Sequence, residues 1–392
     1  MRIIAIANQK GGCGKTTTAI NLSSALAING QKVLLVDLDP QAHASLGLNI
    51  NAQNTIYNVI SKLAPRKLSL SQIIVKVKDQ FDLVPSNVLV GTLEQELADE
   101  IGRELKLFSI LSEQKEYDYI IIDCPPNLGF LTINALRASQ EVIIPVEASR
   151  FSIQGVGRLI DIIELVKQRL NHTIDYRVLV TMFDSRLRHS FEMLAKIKED
   201  FAKNLAGTII HLNVKLKEAA AAGETVSCYD KYSRGSKDYF SLAKEMIMVG
   251  QKDGPRESSL SAQPMAKSVS QPMSKVMRET IKEKAKDFSL ASFTLVAPEA
   301  KNVYLAGDFN NWYVDESCRM QKTDGRWQSE LKLKPGVYQY RFIVDGKWQN
   351  DPANTRRVEN AFGDSNSVLE VHPVRELHTS GLTLKGDAPP AL

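Results

Sequence analysis

The sequence predicts two folds in one chain: a parallel α/β sheet with helices on both faces, then an all-β sandwich of the immunoglobulin-like kind. Three observations predict this. Over residues 1–250, short apolar runs alternate with segments of helical apolar spacing, the pattern of strands buried on both faces. Residues 251–287 shift to Ser, Gln, Pro, Met and Lys, the composition of a flexible linker. Residues 288–372 form short alternating strands separated by the turn signals Asp324-Gly325, Pro335-Gly336 and Asp345-Gly346. The tail, 373–392, with Ala388-Pro389-Pro390, is expected to be disordered.

In the first domain the expected strands are Arg2 to Ala7, Lys32 to Asp37, Phe81 to Val84, Tyr117 to Asp123, Glu141 to Val146, Tyr176 to Met182 and Thr208 to Ile210. Ligands of such sheets sit beyond the carboxyl ends of the strands, so the residues just after each strand carry the functional signal. The first strand runs into N-Q-K-G-G-C-G-K-T-T-T, Asn8 to Thr18, and then into a segment with Ile20, Leu22, Leu26 and Ala27 at helical spacing. A glycine-rich turn between strand and helix aims backbone N–H groups and a helix N-terminus at one point, which suits a phosphate chain. In this P-loop reading Gly11, Gly12 and Gly14, with Cys13 and Thr17, form the cradle, Lys15 reaches the β and γ oxygens and Thr16 holds Mg²⁺. A second lysine, Lys10, precedes the glycines. Two ammonium groups aimed at one nucleotide would repel, so Lys10 is expected to serve a phosphate on a second subunit.

The string K-G-G-x-G-K-T-T resembles the deviant Walker A motif of the ParA/MinD family of dimeric ATPases. The resemblance implies a homodimer formed with ATP and Mg²⁺ in which Lys10 crosses to the partner's nucleotide. After the second strand, Asp37-Leu38-Asp39-Pro40-Gln41 matches a further element of that family. It implies that Asp39 orients the attacking water and supports the metal, while Asp37 has a structural part at the sheet edge. Lys10, Lys15 and Asp39 are thus the expected catalytic residues. The buried run Tyr119-Ile120-Ile121-Ile122 ends in Asp123, placed to reach the Mg²⁺ water shell, and the following Cys124-Pro125-Pro126 and Asn134-Ala135-Leu136 also resemble the family. Matching segments continue through Ser233 to Tyr239, so the likeness spans essentially residues 1–250.

The chain of 392 residues carries 49 Lys and Arg against 45 Asp and Glu, a net +4 that permits contact with nucleic acid or acidic membranes without requiring it. Arg186, Lys215, Lys217, Arg234 and Lys237 gather in the last third of the first domain. Either they form a solvated face or they grip DNA phosphates without sequence preference, as the family does. The four cysteines lack metal-ligand spacing and read as free thiols of a reducing cytoplasm, with a nucleoid association if DNA is bound. Met1-Arg2 leads straight into the first strand, so no signal peptide is expected, and no apolar run is long enough to cross a bilayer. Ser274 to Lys286 offers only Val276, Met277, Ile281 and Ala285 as an apolar face, too weak for a stable membrane anchor.

All three tryptophans, Trp312, Trp327 and Trp348, fall in the second domain. Alternation with Leu331 and Leu333 assigns Trp327 to the core and leaves the other two beside turns, where flat rings can stack on a sugar. The strings Gly307-Asp308-Phe309-Asn310-Asn311-Trp312 and Tyr340 to Trp348, with Asp351-Pro352, resemble the family 48 carbohydrate-binding module, found in the β subunit of AMP-activated protein kinase and in isoamylase and branching enzymes. The resemblance implies an α-1,4-glucan ligand, with Trp312 and Trp348 as the stacking pair, Asn366 as the sugar-binding asparagine, Phe362 packing on the ring and Arg341 where a lysine often stands. The alternative is a sandwich that kept these aromatics for packing or for a protein partner.

Two functions fit the chain: a nucleotide-switched positioning or DNA-segregation ATPase tied to a glucan store, and a regulatory scaffold for polysaccharide synthesis or a polar assembly that never touches DNA. A metabolic P-loop enzyme fits less well, because the cysteine pair of a nitrogenase-type reductase is missing. The cargo and any partner protein that stimulates hydrolysis leave no trace in the sequence.

Overall fold

The computed structural model describes residues 1–252, 289–310, 312, 314, 318–323, 325–360 and 364–372. The chain divides into two compact units, Met1–Met277 and Arg278–Leu392, taken separately below. The linker proposed for 251–287, apart from its first two residues, and the tail from 373 lie outside the described residues, as does Phe362.

The first unit is a seven-stranded sheet: β1 (Arg2–Ile6), β2 (Val33–Asp37), β3 (Val75–Lys78), β4 (Phe81–Val84), β5 (Tyr119–Asp123), β6 (Glu141–Glu147) and β7 (Asp175–Thr181), in the spatial order β3-β4-β2-β5-β1-β6-β7. All pairs are parallel except β3 with β4. Chain order reverses around β1, which opens a crevice at its carboxyl end, where the glycine-rich turn begins. The sheet's covering helices are α1 (Lys15–Ile28), α2 (His43–Leu46), α3 (Ile56–Ile60), α4 (Leu93–Glu96), α5 (Lys106–Leu111), α6 (Phe130–Ala138), α7 (Arg150–Leu170), α8 (Arg188–Phe201), α9 (Val214–Ala222), α10 (Val226–Tyr229) and α11 (Arg234–Lys252).

The strands read as unbroken apolar runs because both faces are covered: every residue of β2 and β5 is buried. Helix α1 is buried nearly all round, its Leu22 and Leu26 sharing a core with Leu35 and Ile121 of the sheet and with Leu242 and Met246 of α11. Helix α7 shows the ordinary one-sided pattern, burying Val156, Leu159, Ile163 and Val166.

Two strand expectations need correction. Thr208–Ile210 is not a strand: Ile210 donates to the Val180 carbonyl at 2.9 Å and only an isolated bridge joins Phe183 to His211. Conversely, the half-exposed β3 was not foreseen, since Val75-Lys76-Val77-Lys78 alternates like a surface segment and pairs antiparallel at the sheet's margin.

The second unit has β8 (Ser289–Val296), β9 (Val303–Gly307), β10 (Gln321–Thr323), β11 (Arg326–Leu333), β12 (Gly336–Val344), β13 (Lys347–Gln349), β14 (Arg357–Glu359) and β15 (Ser365–Val371). They form a three-stranded sheet, β10-β11-β8, and a five-stranded sheet built on β12. Pleating sends Ala291, Phe293 and Leu295 of β8 inward, against Leu305 of β9 and Tyr340 and Phe342 of β12. Trp327 is in this core as expected, 4% exposed, with its indole N–H on the Ala297 carbonyl at 3.0 Å. The β12–β13 hairpin turns on Asp345 and Gly346, with φ of 45° and 85°, the mirror-image turn that matches strand twist.

Candidate functional site

Beyond β1 the turn is anchored from several sides. Asn8 is buried, donates to the Pro145 carbonyl at 2.7 Å and accepts from the Lys10 N–H at 3.1 Å. Thr181, the last residue of β7, donates its hydroxyl to the Cys13 carbonyl at 2.9 Å. Gly12 and Gly14 have φ of 74° and 87°, which side chains rarely tolerate, so the motif's glycines are backbone requirements here. Apart from the chain neighbours, no protein atom lies within 4 Å of where a side chain on Gly11 or Gly12 would begin, so the loop borders open space. The Cys13 thiol is buried, which pushes its pKa up and makes it a poor nucleophile.

The two lysines of the motif point to different places. Lys15, only 8% exposed, folds over its own loop and donates to the Lys10 carbonyl at 3.1 Å. Lys10 is paired with Glu147 at the end of β6, Nζ to Oε2 2.5 Å, and reaches the Ser149 hydroxyl at 3.3 Å. Their separation agrees with the repulsion argument. Sequence reasoning gave Glu147 and Ser149 no role at the site; they stand 137 and 139 positions from Lys10, at the end of an apolar run.

Parallel register sets Asp37 and Asp123 side by side at the ends of β2 and β5. Asp37, expected at the sheet edge, is fully buried at the end of an interior strand. Its carboxylate accepts from the Ser45 N–H at 2.8 Å, the Ser45 hydroxyl at 2.7 Å and the Asp39 N–H at 3.2 Å. Burial pushes its pKa up to about 6 despite those bonds. Asp39 is nearly buried and accepts from the Gln41 N–H at 2.9 Å. Asp123 is fully buried and neither oxygen has a formed hydrogen bond; the Thr16 hydroxyl is near enough to favour the charged form but stops short of bonding it. Burial first, then Asp37, drives the acidity of Asp123 down, so its pKa lies well above the usual range.

A buried carboxylate without a partner is costly, and one beside a phosphate cradle fits a metal ion's hydration shell. Among the described residues no group of three or more His, Cys, Asp and Glu is arranged to hold a metal by itself. Mg²⁺ keeps several waters and takes its other ligands from substrate phosphates, so it needs few protein ligands. Thr16, Asp123 and Asp39 fit that role, and Mg²⁺ when bound would offset charge on the terminal phosphates.

Of the five basic residues read as DNA contacts, three are neutralised within the chain. Arg186 pairs with Asp184 at 2.6 Å, Lys215 with Glu218 at 2.8 Å and Arg234 with Asp238 at 3.0 Å. Lys217 and Lys237 are exposed and carry no ion pair among the described residues.

In the sandwich, the Trp312 and Trp348 rings lie 6.3 Å apart with planes tilted 41°. Arg341 pairs with Asp364 at 2.7 Å and donates to the Trp348 carbonyl at 3.3 Å. Asn366 is 6% exposed; its amide donates to Gln339 at 2.9 Å and accepts from Asn360 at 3.0 Å. Gln339, Asn360 and Asp364 were not foreseen as members of this group.

Fold and loop together define a P-loop ATPase with an appended β-sandwich. Residues 1–176 match the model of an AAA domain, and residues 295–377 match that of the glycogen recognition site of AMP-activated protein kinase. The sporulation initiation inhibitor protein Soj of Bacillus subtilis is 41% identical over 251 residues, covering 64% of this chain and 99% of Soj. The chromosome partitioning protein ParA of Myxococcus xanthus is 39% identical over 65% of this chain and 91% of its own. The chain therefore belongs to the ParA/Soj family of ATPases and carries a C-terminal domain of the glycogen-recognition type. Among solved structures, cobyrinic acid a,c-diamide synthase of Mycobacterium smegmatis, with an ATP analogue and magnesium, is 29% identical with a TM-score of 0.57, covering 65% of this chain and 97% of that one. Among the described residues no helix is long and apolar enough to cross a membrane.

Proposed function

We propose that this chain is an ATP-switched positioning ATPase whose two protomers close on a pair of nucleotides, Lys10 of each completing its partner's site. The observation that carries this reading is the pair of lysines on one loop: Lys15 lies across the cradle, while Lys10 is held apart by Glu147 at a mixed, half-exposed position from which it can exchange partners. Asp39 orients the water that attacks and Asp123, with Thr16, supports Mg²⁺. Closure presents the basic surface, Lys217 and Lys237 foremost, to non-specific DNA in the cytoplasm, as the chromosome-partitioning relatives' names suggest. The sandwich binds α-glucan and ties the cycle to a polysaccharide store, and a partner protein stimulates hydrolysis.

Sedimentation with ATP tests the core of this. Wild type should form a nucleotide-dependent dimer, Lys10→Ala should stay monomeric, and Asp39→Ala should form a long-lived dimer. A Lys10→Ala protein that dimerises like wild type refutes the shared site.

A second reading, a regulatory scaffold that never meets DNA, is favoured by the in-chain neutralisation of Arg186, Lys215 and Arg234. DNA retention with ATP as salt is raised separates the two, because phosphate binding gives a steep salt slope and a scaffold gives none.

A further inference from the structure

We propose that Asp308 is the positioning residue of the sugar platform, holding the Trp312 indole at its angle to Trp348. The proposal rests on the glucan reading above. Trp312 lies on a turn that leaves β9, and its φ is 61°, a backbone conformation that bulky side chains rarely adopt. A strained position of this kind persists only where its surroundings enforce it.

The enforcement is visible. The Trp312 N–H bonds the Gly307 carbonyl at 3.0 Å, and Asn310 ties the turn down by accepting from the Gly307 N–H at 2.8 Å and donating to the Leu305 carbonyl at 2.9 Å. Gly307 is pressed so closely on β12 that a Cβ there would sit 2.4 Å from the Gln339 carbonyl oxygen. These bonds hold the backbone, yet leave the indole free to rotate about its own side-chain torsions. Asp308 removes that freedom. One carboxylate oxygen accepts from the indole Nε1–H of Trp312 at 3.0 Å, and the other accepts from the backbone N–H of Gln339 on β12 at 2.7 Å. The carboxylate thus clamps the ring to β12, whose hairpin with β13 carries Trp348 opposite Ile343. Two rings tilted by 41° suit successive glucosyl units of a curving α-1,4 chain, which coplanar rings would not.

The test uses the full-length chain, glycogen as the probe, and two readouts. Asp308→Ala should weaken glycogen retention at least ~10-fold by releasing a preorganised ring. It should also diminish the far-ultraviolet exciton couplet of the Trp312–Trp348 pair, while the melting transition followed by buried Trp327 stays in place. Asp308→Asn keeps one acceptor oxygen for two donors and should fall between; it serves as the test variant should the alanine protein not fold. Retention equal to wild type in these variants overturns the positioning role alone. A couplet unchanged while retention falls overturns it as well, because Asp308 would then act by touching sugar. A wild-type chain that ignores glycogen, with Trp348→Ala no different, overturns the glucan reading beneath it.

Discussion

The nucleotide site and the sugar face are built on opposite electrostatic plans. At the ends of β2 and β5 two carboxylates stand side by side in the interior, one of them without a hydrogen bond, and Lys15 is bonded to its own loop. On the sandwich most of the polar groups are already bonded to one another: Trp312 to Asp308, Asn366 to Gln339 and Asn360, Arg341 to Asp364, with Arg341 Nε left without a hydrogen bond. The first arrangement is incomplete until a charged ligand arrives, so binding can drive a change of state. The second is largely formed beforehand, so a ligand there would cost little rearrangement and change little. On the proposed function the first serves as a switch and the second as a platform, and the two need different chemistry.

The sharpest way to break this contrast is one substitution made in each region. Asp123→Asn replaces a buried carboxyl whose ionisation the interior already opposes, so the nucleotide-free protein should keep or gain stability while losing its stabilisation by ATP with Mg²⁺. Asp351→Asn should do the reverse. Its carboxylate accepts from the Tyr340 hydroxyl at 2.6 Å and the Ala353 N–H at 2.8 Å, and the substitution should cost the sandwich about 1–3 kcal/mol. Melting curves with two probes decide this, since tryptophan fluorescence reports only the second unit. Shifts of the same sign in both units would end the comparison.

Next in size is a difference in pH response. The folded pKa of Asp37, about 6, lies above the unfolded value of 3.8, so the native site holds a proton that the unfolded chain gives up. The nucleotide-free ATPase unit should therefore lose on the order of 2 kcal/mol as pH rises from about 4 through 6, and regain it as pH falls. In the sandwich Asp345 and Asp364 are held below the carboxylate range by backbone N–H donors first, so their contribution is present above the unfolded value and lost as pH falls. Denaturant titrations from about pH 2 to 7, with helix ellipticity for one unit and tryptophan emission for the other, should show the ATPase unit weakening as pH rises through about 6 and the sandwich weakening as pH falls below about 4. A flat ATPase-unit profile would mean that Asp37 and Asp123 share their charge differently.

The smallest effect sharpens the platform. Because Asp364 already neutralises Arg341, Arg341→Ala should weaken glycogen retention only about 2–5-fold. A complete loss would show that the arginine bonds sugar directly.

Much of this was legible in the chain and some was not, for physical reasons. Buried strands such as Tyr119–Asp123 declare themselves as apolar runs because the sheet is covered on both faces. The glycines of the loop declare themselves because Gly12 and Gly14 need left-handed backbone. What sequence hides is pairing over distance. Glu147 has no local signature as the partner of Lys10, and short strands such as Arg357–Glu359 are held by neighbours rather than by propensity. Asp308 sits inside a recognisable string, yet its bond to a strand 31 positions away appears only in three dimensions.

The unpartnered carboxylate of Asp123 has a consequence for the protein's lifetime. Whatever binds the native form alone raises its stability with the logarithm of its concentration, about 2.7 kcal/mol at a hundredfold excess over the dissociation constant. A chain stabilised by bound nucleotide would open more often when fuel is scarce, and opened chains are what proteases degrade. Its abundance would then track the cell's energy supply with no dedicated regulator.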